Sequence, residues 1–331
     1  MPRLCVIEGD GIGKEVIPAA VQVLQRAVPG LELTQAAAGW ETFQQCGLSV
    51  PAETLVAVRA AGAALFGAVS SPSRKVAGYR SAILTLRQEL DLYANLRPVR
   101  SLPVVSPRAG LDLLIVRENT EGMYAGRERR EGDTAIAERV ITRRASYRIG
   151  YKAVELALAA GRRRLTVVHK ANVLPVTDGL FRDSVLEAAR DLDAAGHGLT
   201  VDELLVDTAA NQLVSQPEKF EVIVTTNLFG DILSDEAAYW CGGMGLAPSL
   251  NWGTGAAIAE PVHGSAPDIA GQGIANPVAS ILSAALLARY IWNLPQAADQ
   301  MEAAVHGALR AGLASGALKT SQITWAILER V

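Results

Sequence analysis

The sequence predicts an α/β protein with a substantially parallel sheet, folded as two domains of which the first is discontinuous. Two observations carry this. Short apolar, β-branched runs alternate with longer Ala/Leu-rich segments at helical period. In addition, the chain has two places to cross between domains. Pro98, Pro103 and Pro107 gather with Ser and Arg between 97 and 110, and a second Gly/Pro-rich stretch runs over 242–255. One domain is then expected from residues 1–96 and 246–331, around a middle domain of 97–245.

Strands are expected over 4–8, 63–66, 111–116, 165–169, 204–206 and 222–226, where apolar residues run together. Helices are expected over 13–28, 51–61, 145–160, 176–195 and 279–293, where apolar residues recur every three to four positions. The charged stretch 127–144 reads as an exposed arm near 125–145, either a solvated hairpin or a subunit contact. With 331 residues, half of them apolar and a fifth charged, there is ample material for two cores.

The same composition excludes several functions. A net charge of −3 argues against a nucleic-acid surface. No apolar run approaches the roughly 18–20 residues of a membrane span. The start, Met-Pro-Arg-Leu-Cys-Val-Ile, leads straight into a strand without a secretory signal. Cys5, Cys46 and Cys241 are scattered, as in a reducing compartment, and no histidine pair has metal-ligand spacing. A soluble cytoplasmic protein with a small-molecule partner is expected, with no nucleic acid and no membrane.

Five groups of residues carry chemistry. After the run 222–226 stand Asp231 and Asp235, four residues apart. If a helix begins near Gly230, both carboxylates leave one face of its first turns, where the helix N-terminus offsets part of their repulsion. They read either as a solvated acidic helix start or as oxygen ligands for Mg²⁺ or Mn²⁺. Arg87, Arg97 and Arg117 stand near strand or loop ends, places suited to bidentate binding of a multi-carboxylate substrate. Lys170 follows a strand, where burial turns an amine toward general-base use, and Tyr124 is a candidate acid by the same position; Asp207, at a strand end, is a further metal candidate. Finally, Glu8-Gly9-Asp10-Gly11-Ile12-Gly13 is a glycine loop between strand and helix. It reads as a ligand approach or a tight turn, and its spacing is not the dinucleotide fingerprint. A later loop, 260–271, places Asp268 where an acid would favour the free ribose hydroxyls of NAD over a 2′-phosphate.

The motifs His-Lys-Ala-Asn, Thr-Thr-Asn-Leu-Phe-Gly-Asp-Ile-Leu-Ser-Asp and His-Gly-Ser-Ala-Pro-Asp-Ile-Ala-Gly together resemble the β-decarboxylating dehydrogenases, the isocitrate/isopropylmalate dehydrogenase family. The resemblance runs from residue 4 to about 290. It implies an isocitrate/isopropylmalate dehydrogenase-like fold that is not Rossmann, with a discontinuous cofactor-binding large domain. It also implies a small domain that carries the metal and the dimer interface, and a homodimer or dimer of dimers with shared active sites. By the same resemblance Arg87, Arg97 and Arg117 clamp the substrate's malate carboxylates, and Asn172, beside Lys170, also contacts the substrate. Tyr124 is implied as general acid and Lys170 as general base. Asp207, Asp231 and Asp235 are implied as Mg²⁺ or Mn²⁺ ligands, with Lys170, Asn172 and Asp207 coming from the neighbouring subunit. Ser70, His263, Gly264, Ser265, Ala266, Asp268 and Asn276 are implied as cofactor contacts, and Asp268-Ile269 in place of a Lys-Tyr pair favours NAD.

The resemblance also implies that the segment before Arg87 reads the group on the substrate's third carbon. Where isopropylmalate enzymes carry Glu and a Leu-Leu pair, this chain has Arg80, Ile83 and Leu84, and Ser81 stands where isocitrate enzymes place a serine. A cation and a hydroxyl beside an aliphatic wall suit a distal carboxylate, so a hydroxy tricarboxylate is the expected substrate. Segment 70–79 looks closest to bacterial homoisocitrate dehydrogenases of lysine biosynthesis. Leu84, an Arg in some of those enzymes, keeps 3-isopropylmalate dehydrogenase, or a broad isocitrate/malate/tartrate enzyme, as the alternative. A non-catalytic regulatory subunit is disfavoured, since the implied catalytic and metal residues are present. Thr320-Ser321-Gln322-Ile323 departs from the family's usual C-terminal Thr-Pro-Asp-Leu-Gly-Gly.

Overall fold

Strand β1 (Arg3–Gly9) opens the chain with four consecutive buried residues, as a strand covered on both faces requires. A computed structural model describes residues 1–74, 76–313 and 318–331. Lys75, in the 70–79 segment, and residues 314–317 lie outside the described residues. After β1 come α1 (Gly13–Ala27), β2 (Glu32–Gln35), α2 (Trp40–Cys46), α3 (Ala52–Ala61), β3 (Ala63–Ala68) and α4 (Ala82–Glu89). The middle of the chain supplies β4 (Ala94–Arg100), β5 (Asp112–Glu118), β6 (Glu128–Glu131), β7 (Thr134–Ala137), α5 (Arg143–Ala159), β8 (Arg164–His169) and α6 (Thr177–Asp191). It continues with β9 (Thr200–Leu205), α7 (Val206–Ser215), β10 (Val222–Thr225) and α8 (Asn227–Ala237). The last part gives β11 (Pro248–Trp252), β12 (Ala257–Pro261), α9 (Val278–Leu286), α10 (Pro295–Arg310) and α11 (Thr320–Leu328).

These elements divide into two compact units. Unit 1 comprises Met1–Leu92, Ser101–Ala109 and Ala238–Val331; unit 2 comprises Tyr93–Arg100 and Gly110–Ala237. The divisions fall at 92/93 and 237/238, where the sequence placed them at 96/97 and 245/246. The first shift has a plain cause, since all of β4 pairs antiparallel with β5. Residues 101–109 join unit 1, in which Arg108 lies over the Trp240 ring at 5.6 Å.

In unit 1 the strands run β2-β1-β3-β12-β11, all parallel except β11, which pairs antiparallel with β12. Ile7, Phe66, Leu86, Leu92 and Ile258 form the core beneath them. In unit 2 the order is β4-β5-β10-β8-β9, parallel except for β4. The charged stretch of unit 2 is an antiparallel hairpin of β6 and β7, with mostly exposed residues.

Three element expectations need correction. Val206 opens α7 instead of ending a strand. The helix expected over 279–293 is α-helical only to Leu286 and then widens into a π turn over Leu287–Ile291. Helix α8 begins at Asn227, before Gly230, because the Thr226 carbonyl already accepts the Gly230 N–H at 2.8 Å.

The glycine loop after β1 is packed against its own chain. Gly11 has φ +54°, and a Cβ there would lie 2.2 Å from the Ser265 carbonyl oxygen. Glycine thus allows the backbone of 9–13 to meet the 260–271 loop, and the Ile12 N–H donates to the Ser265 carbonyl at 2.9 Å. Gly11→Ala combines a left-handed alanine with this clash and is expected to cost about 2–4 kcal/mol. Urea unfolding would show it as a lowered midpoint at unchanged slope; an unchanged midpoint would mean the loop is not packed this way.

Candidate active site

Unit 2 gathers two arginines, a tyrosine and two carboxylates around α8. Arg117, the penultimate residue of β5, is 1% exposed. It can lie against α8 because position 230 is glycine; a Cβ there would come within 2.6 Å of the Arg117 Cγ. Its Nε and Nη2 donate to the Asn227 Oδ1 at 3.1 and 2.7 Å, and its Nη1 donates to the Asp231 Oδ1. Arg97, on β4, donates to the Asn95 Oδ1 (2.8 Å), the Ser234 Oγ (2.7 Å), the Asp235 Oδ1 (2.9 Å) and the Asp231 Oδ1 (3.3 Å). The Tyr124 hydroxyl, on a short 3₁₀ turn, donates to the Asp231 Oδ2, and the Arg117 guanidinium lies 5.2 Å from the centre of the Tyr124 ring.

Asp231 and Asp235 therefore stand past the first turn of α8, and the two arginines supply the offsetting charge that the helix N-terminus was expected to give. The offset is incomplete at Asp235. Burial pushes its carboxyl above the ordinary value; Arg97 and Arg117 pull it down, and the neighbouring Asp231 carboxylate adds to the push. Two hard oxygen donors one turn apart, one of them strained in its charged form, match the demand of a divalent cation. Asp207 does not join them within the chain. Among the described residues no group of three His, Cys, Asp or Glu side chains is placed to hold a metal.

Lys170 follows β8. Its N–H donates to the Asp178 Oδ2 at 2.7 Å, and its carbonyl accepts from the N–H groups of Val173 and Leu174. The Lys170 ammonium donates to the Asp207 carboxylate at the start of α7, and this hydrogen bond holds the Asp207 carboxyl below its ordinary range. The Lys170 side chain is 25% exposed and that of Asp207 62% exposed, so the pair faces outward. Asn172 is exposed on the turn that follows.

Unit 1 holds the other candidates. Arg87, in the last turn of α4, is buried and donates to the Glu260 Oε1 at 3.0 Å, an oxygen that also accepts from the Asn251 Nδ2 at 2.8 Å. Ser81 caps α4 without a side-chain bond, and the Arg80 Nη2 donates to the Gln88 Oε1. Ser70 and Ser265 are brought together, with the Ser70 Oγ 2.8 Å from the Ser265 Oγ. Asp10 fixes this arrangement. It is 1% exposed, and its carboxylate accepts from the N–H groups of Trp40, Glu41 and Ser70 at 2.8, 3.0 and 2.8 Å.

His263 faces the Gly264 carbonyl at 3.0 Å; burial pushes its pKa below the ordinary value, and its Nε2 is buried without a hydrogen-bond partner. A bound ligand would satisfy that atom. Asp268 is exposed, as is Gly264, and Ala266 adopts φ +39°. The Asn276 Oδ1 accepts from the Val278 N–H at 3.0 Å, at the start of α9. This donor set fits a dinucleotide's hydroxyl and amide groups.

Sequence reasoning missed the supporting groups Asp10, Asn227, Ser234 and Glu260. Only Asp10 carried a local signal, as the carboxylate inside the glycine loop. Chemically, unit 2 sets two buried guanidiniums beside a phenol and two carboxylates, an arrangement that could bind an anion and transfer a proton beside it.

The isocitrate/isopropylmalate dehydrogenase family matches residues 3–331. An isocitrate/homoisocitrate dehydrogenase of Thermus thermophilus is 54% identical over 329 residues, 99% of this chain and 97% of its own length. A homoisocitrate dehydrogenase of Methanocaldococcus jannaschii is 49% identical over 303 residues, 88% of this chain and 86% of its own. Among solved structures, an isocitrate dehydrogenase from Methylococcus capsulatus superposes with TM-score 0.93 at 40% identity, covering 100% of this chain and 99% of its own.

Proposed function

The chain belongs to the isocitrate/isopropylmalate dehydrogenase family and is a β-decarboxylating dehydrogenase, and from that premise we propose that it oxidises homoisocitrate with NAD to give 2-oxoadipate and CO₂. The observation that carries the proposal is the convergence of Arg97, Arg117, Tyr124, Asp231 and Asp235 on one helix face. When bound, the nicotinamide accepts a hydride and a divalent cation, Mg²⁺ or Mn²⁺, supplies Lewis acidity at the substrate's oxygens.

The chain's own residues do the rest. Arg97 and Arg117 hold the malate carboxylates; within unit 1, Arg87 is oriented by Glu260. Lys170 takes the proton of the 2-hydroxyl as C2 is oxidised. After CO₂ departs, Tyr124 gives its phenolic proton to C3, exchanging its hydrogen bond to Asp231 for the substrate carbon. Asp231 and Asp235 hold the cation, and Asp207 and Lys170 of a second copy complete the site. The exposed Val173, Val176, Val214 and Ile232, beside these residues in sequence, support a homodimer. No described helix is long and apolar enough to cross a membrane.

For the cofactor, the exposed Asp268 carboxylate supports NAD over NADP. For the substrate, Arg80 and Ser81 beside Ile83 and Leu84 support a distal carboxylate on the third carbon. The contact of Arg80 with Gln88, and the aliphatic Leu84, favour 3-isopropylmalate as the second reading. NADH and CO₂ should appear in equal amounts from homoisocitrate, stop on EDTA addition and return with Mg²⁺; a preference for NADP would remove the Asp268 argument. Arg80→Glu is expected to lower the kcat/KM ratio of homoisocitrate over 3-isopropylmalate by about tenfold or more, the scale of one charge-assisted hydrogen bond. An unmoved ratio would show that Arg80 does not read the substrate.

A further inference from the structure

Behind Lys170 lies a buried ion pair that this chemistry does not use. Asp178, in the first turn of α6, is 0% exposed. Its Oδ2 accepts the Lys170 N–H at 2.7 Å, and its Oδ1 accepts the Arg139 Nη2 at 2.7 Å. Arg139 stands just beyond β7 with its side chain 12% exposed. The same Nη2 donates to the Thr226 Oγ1 at 3.0 Å, and the guanidinium lies 4.6 Å from the centre of the Phe229 ring. One carboxylate thus ties the residue after β8 to the start of α6 and, through Arg139, to the start of α8.

Stability alone is a poor reason for such a pair. Desolvating both charges offsets much of their attraction, and apolar residues of similar size serve a core as well or better. What the pair does supply is a fixed point. The Lys170 N–H is the first beyond the last residue of β8, where strand pairing no longer sets the backbone. Asp178 takes up that donor and sets the course of the chain from which the Lys170 side chain leaves. Arg139 fixes Asp178 in turn, against the helix that carries Asp231 and Asp235. We infer that Asp178, held by Arg139, is a positioning residue for the Lys170 side-chain amine. This rests on the reading of Lys170 as the general base.

The test compares Asp178→Asn, Lys170→Ala and the double variant as full-length enzyme with homoisocitrate, NAD and Mg²⁺. Asp178→Asn keeps the side chain's shape but loses the charge. It is expected to lower kcat by about 10–100-fold, the scale of a misplaced reacting group, while KM moves by less than about threefold. If Asp178 acts through Lys170, the double variant should match Lys170→Ala within about twofold, since the two losses are one loss. A double variant that loses the full product of both factors would make Asp178 merely structural and overturn the inference. So would Asp178→Asn with wild-type kcat beside an inactive Lys170→Ala; the base assignment would then stand. An active Lys170→Ala overturns the base assignment itself, and the inference with it. Should Asp178→Asn fail to fold, Arg139→Lys, which keeps the charge and loses the fork, carries the same test and is expected to show a smaller loss confined to kcat. Wild-type kcat in that variant would count against the role.

Discussion

Asp231→Asn is expected to abolish turnover and to destabilise the fold, and the two effects have separate causes. Asp231 accepts from Arg97, Arg117 and Tyr124, and Arg117 is 1% exposed. Removing the carboxylate charge leaves two buried guanidiniums without their shared counter-ion. Breaking a buried pair in this way costs about 3–5 kcal/mol; because the Asp231 side chain is 30% exposed, about 2–4 kcal/mol is expected. The activity loss is expected from the proposed cation site. Lewis-acid assistance contributes several kcal/mol, so kcat/KM should fall by about a thousandfold or more at saturating Mg²⁺. Asp235→Asn separates the two causes. Its side chain is 46% exposed and accepts from Arg97, so it should lose comparable activity with much less stability. Urea midpoints that fall equally in both variants would show that the buried arginines do not depend on Asp231.

Lys170→Ala should do the opposite, removing catalysis and leaving the fold intact. Its side chain meets Asp207 on an outward-facing surface, where an ion pair contributes little. Loss of a general base lowers kcat by about 10²–10⁴-fold. Substrate KM should hardly change, since the proposed site gives the carboxylates to the arginines, and the melting temperature should stay within error of wild type. A variant that keeps wild-type kcat would remove Lys170 from the reaction.

Much of the candidate site was legible in the sequence because its residues stand near strand ends. Arg117 is the next-to-last residue of β5, Lys170 follows β8 and the α8 carboxylates follow β10, so each stands beside an apolar run that announces itself. Strand β4 did not, because Arg97, Pro98 and Arg100 interrupt its pattern; its antiparallel pairing with β5 is what makes it a strand. Strand β2 is exposed at all four residues and has no apolar signal. The start of α8 was misplaced because Gly230 looked like a boundary, when its lack of a side chain instead makes room for Arg117. Least legible were the supporting contacts. Glu260 orients Arg87 from 173 residues away, and Asp10 fixes Ser70 from 60 residues away. No local pattern records such pairs, which exist only once the strands are in register.

The specificity constant for homoisocitrate against that for 3-isopropylmalate, measured with NAD and Mg²⁺, bears most directly on what this enzyme does. Arg80 and Ser81 beside an aliphatic wall should favour homoisocitrate by about tenfold or more. A preference of about tenfold or more for 3-isopropylmalate would contradict the assignment.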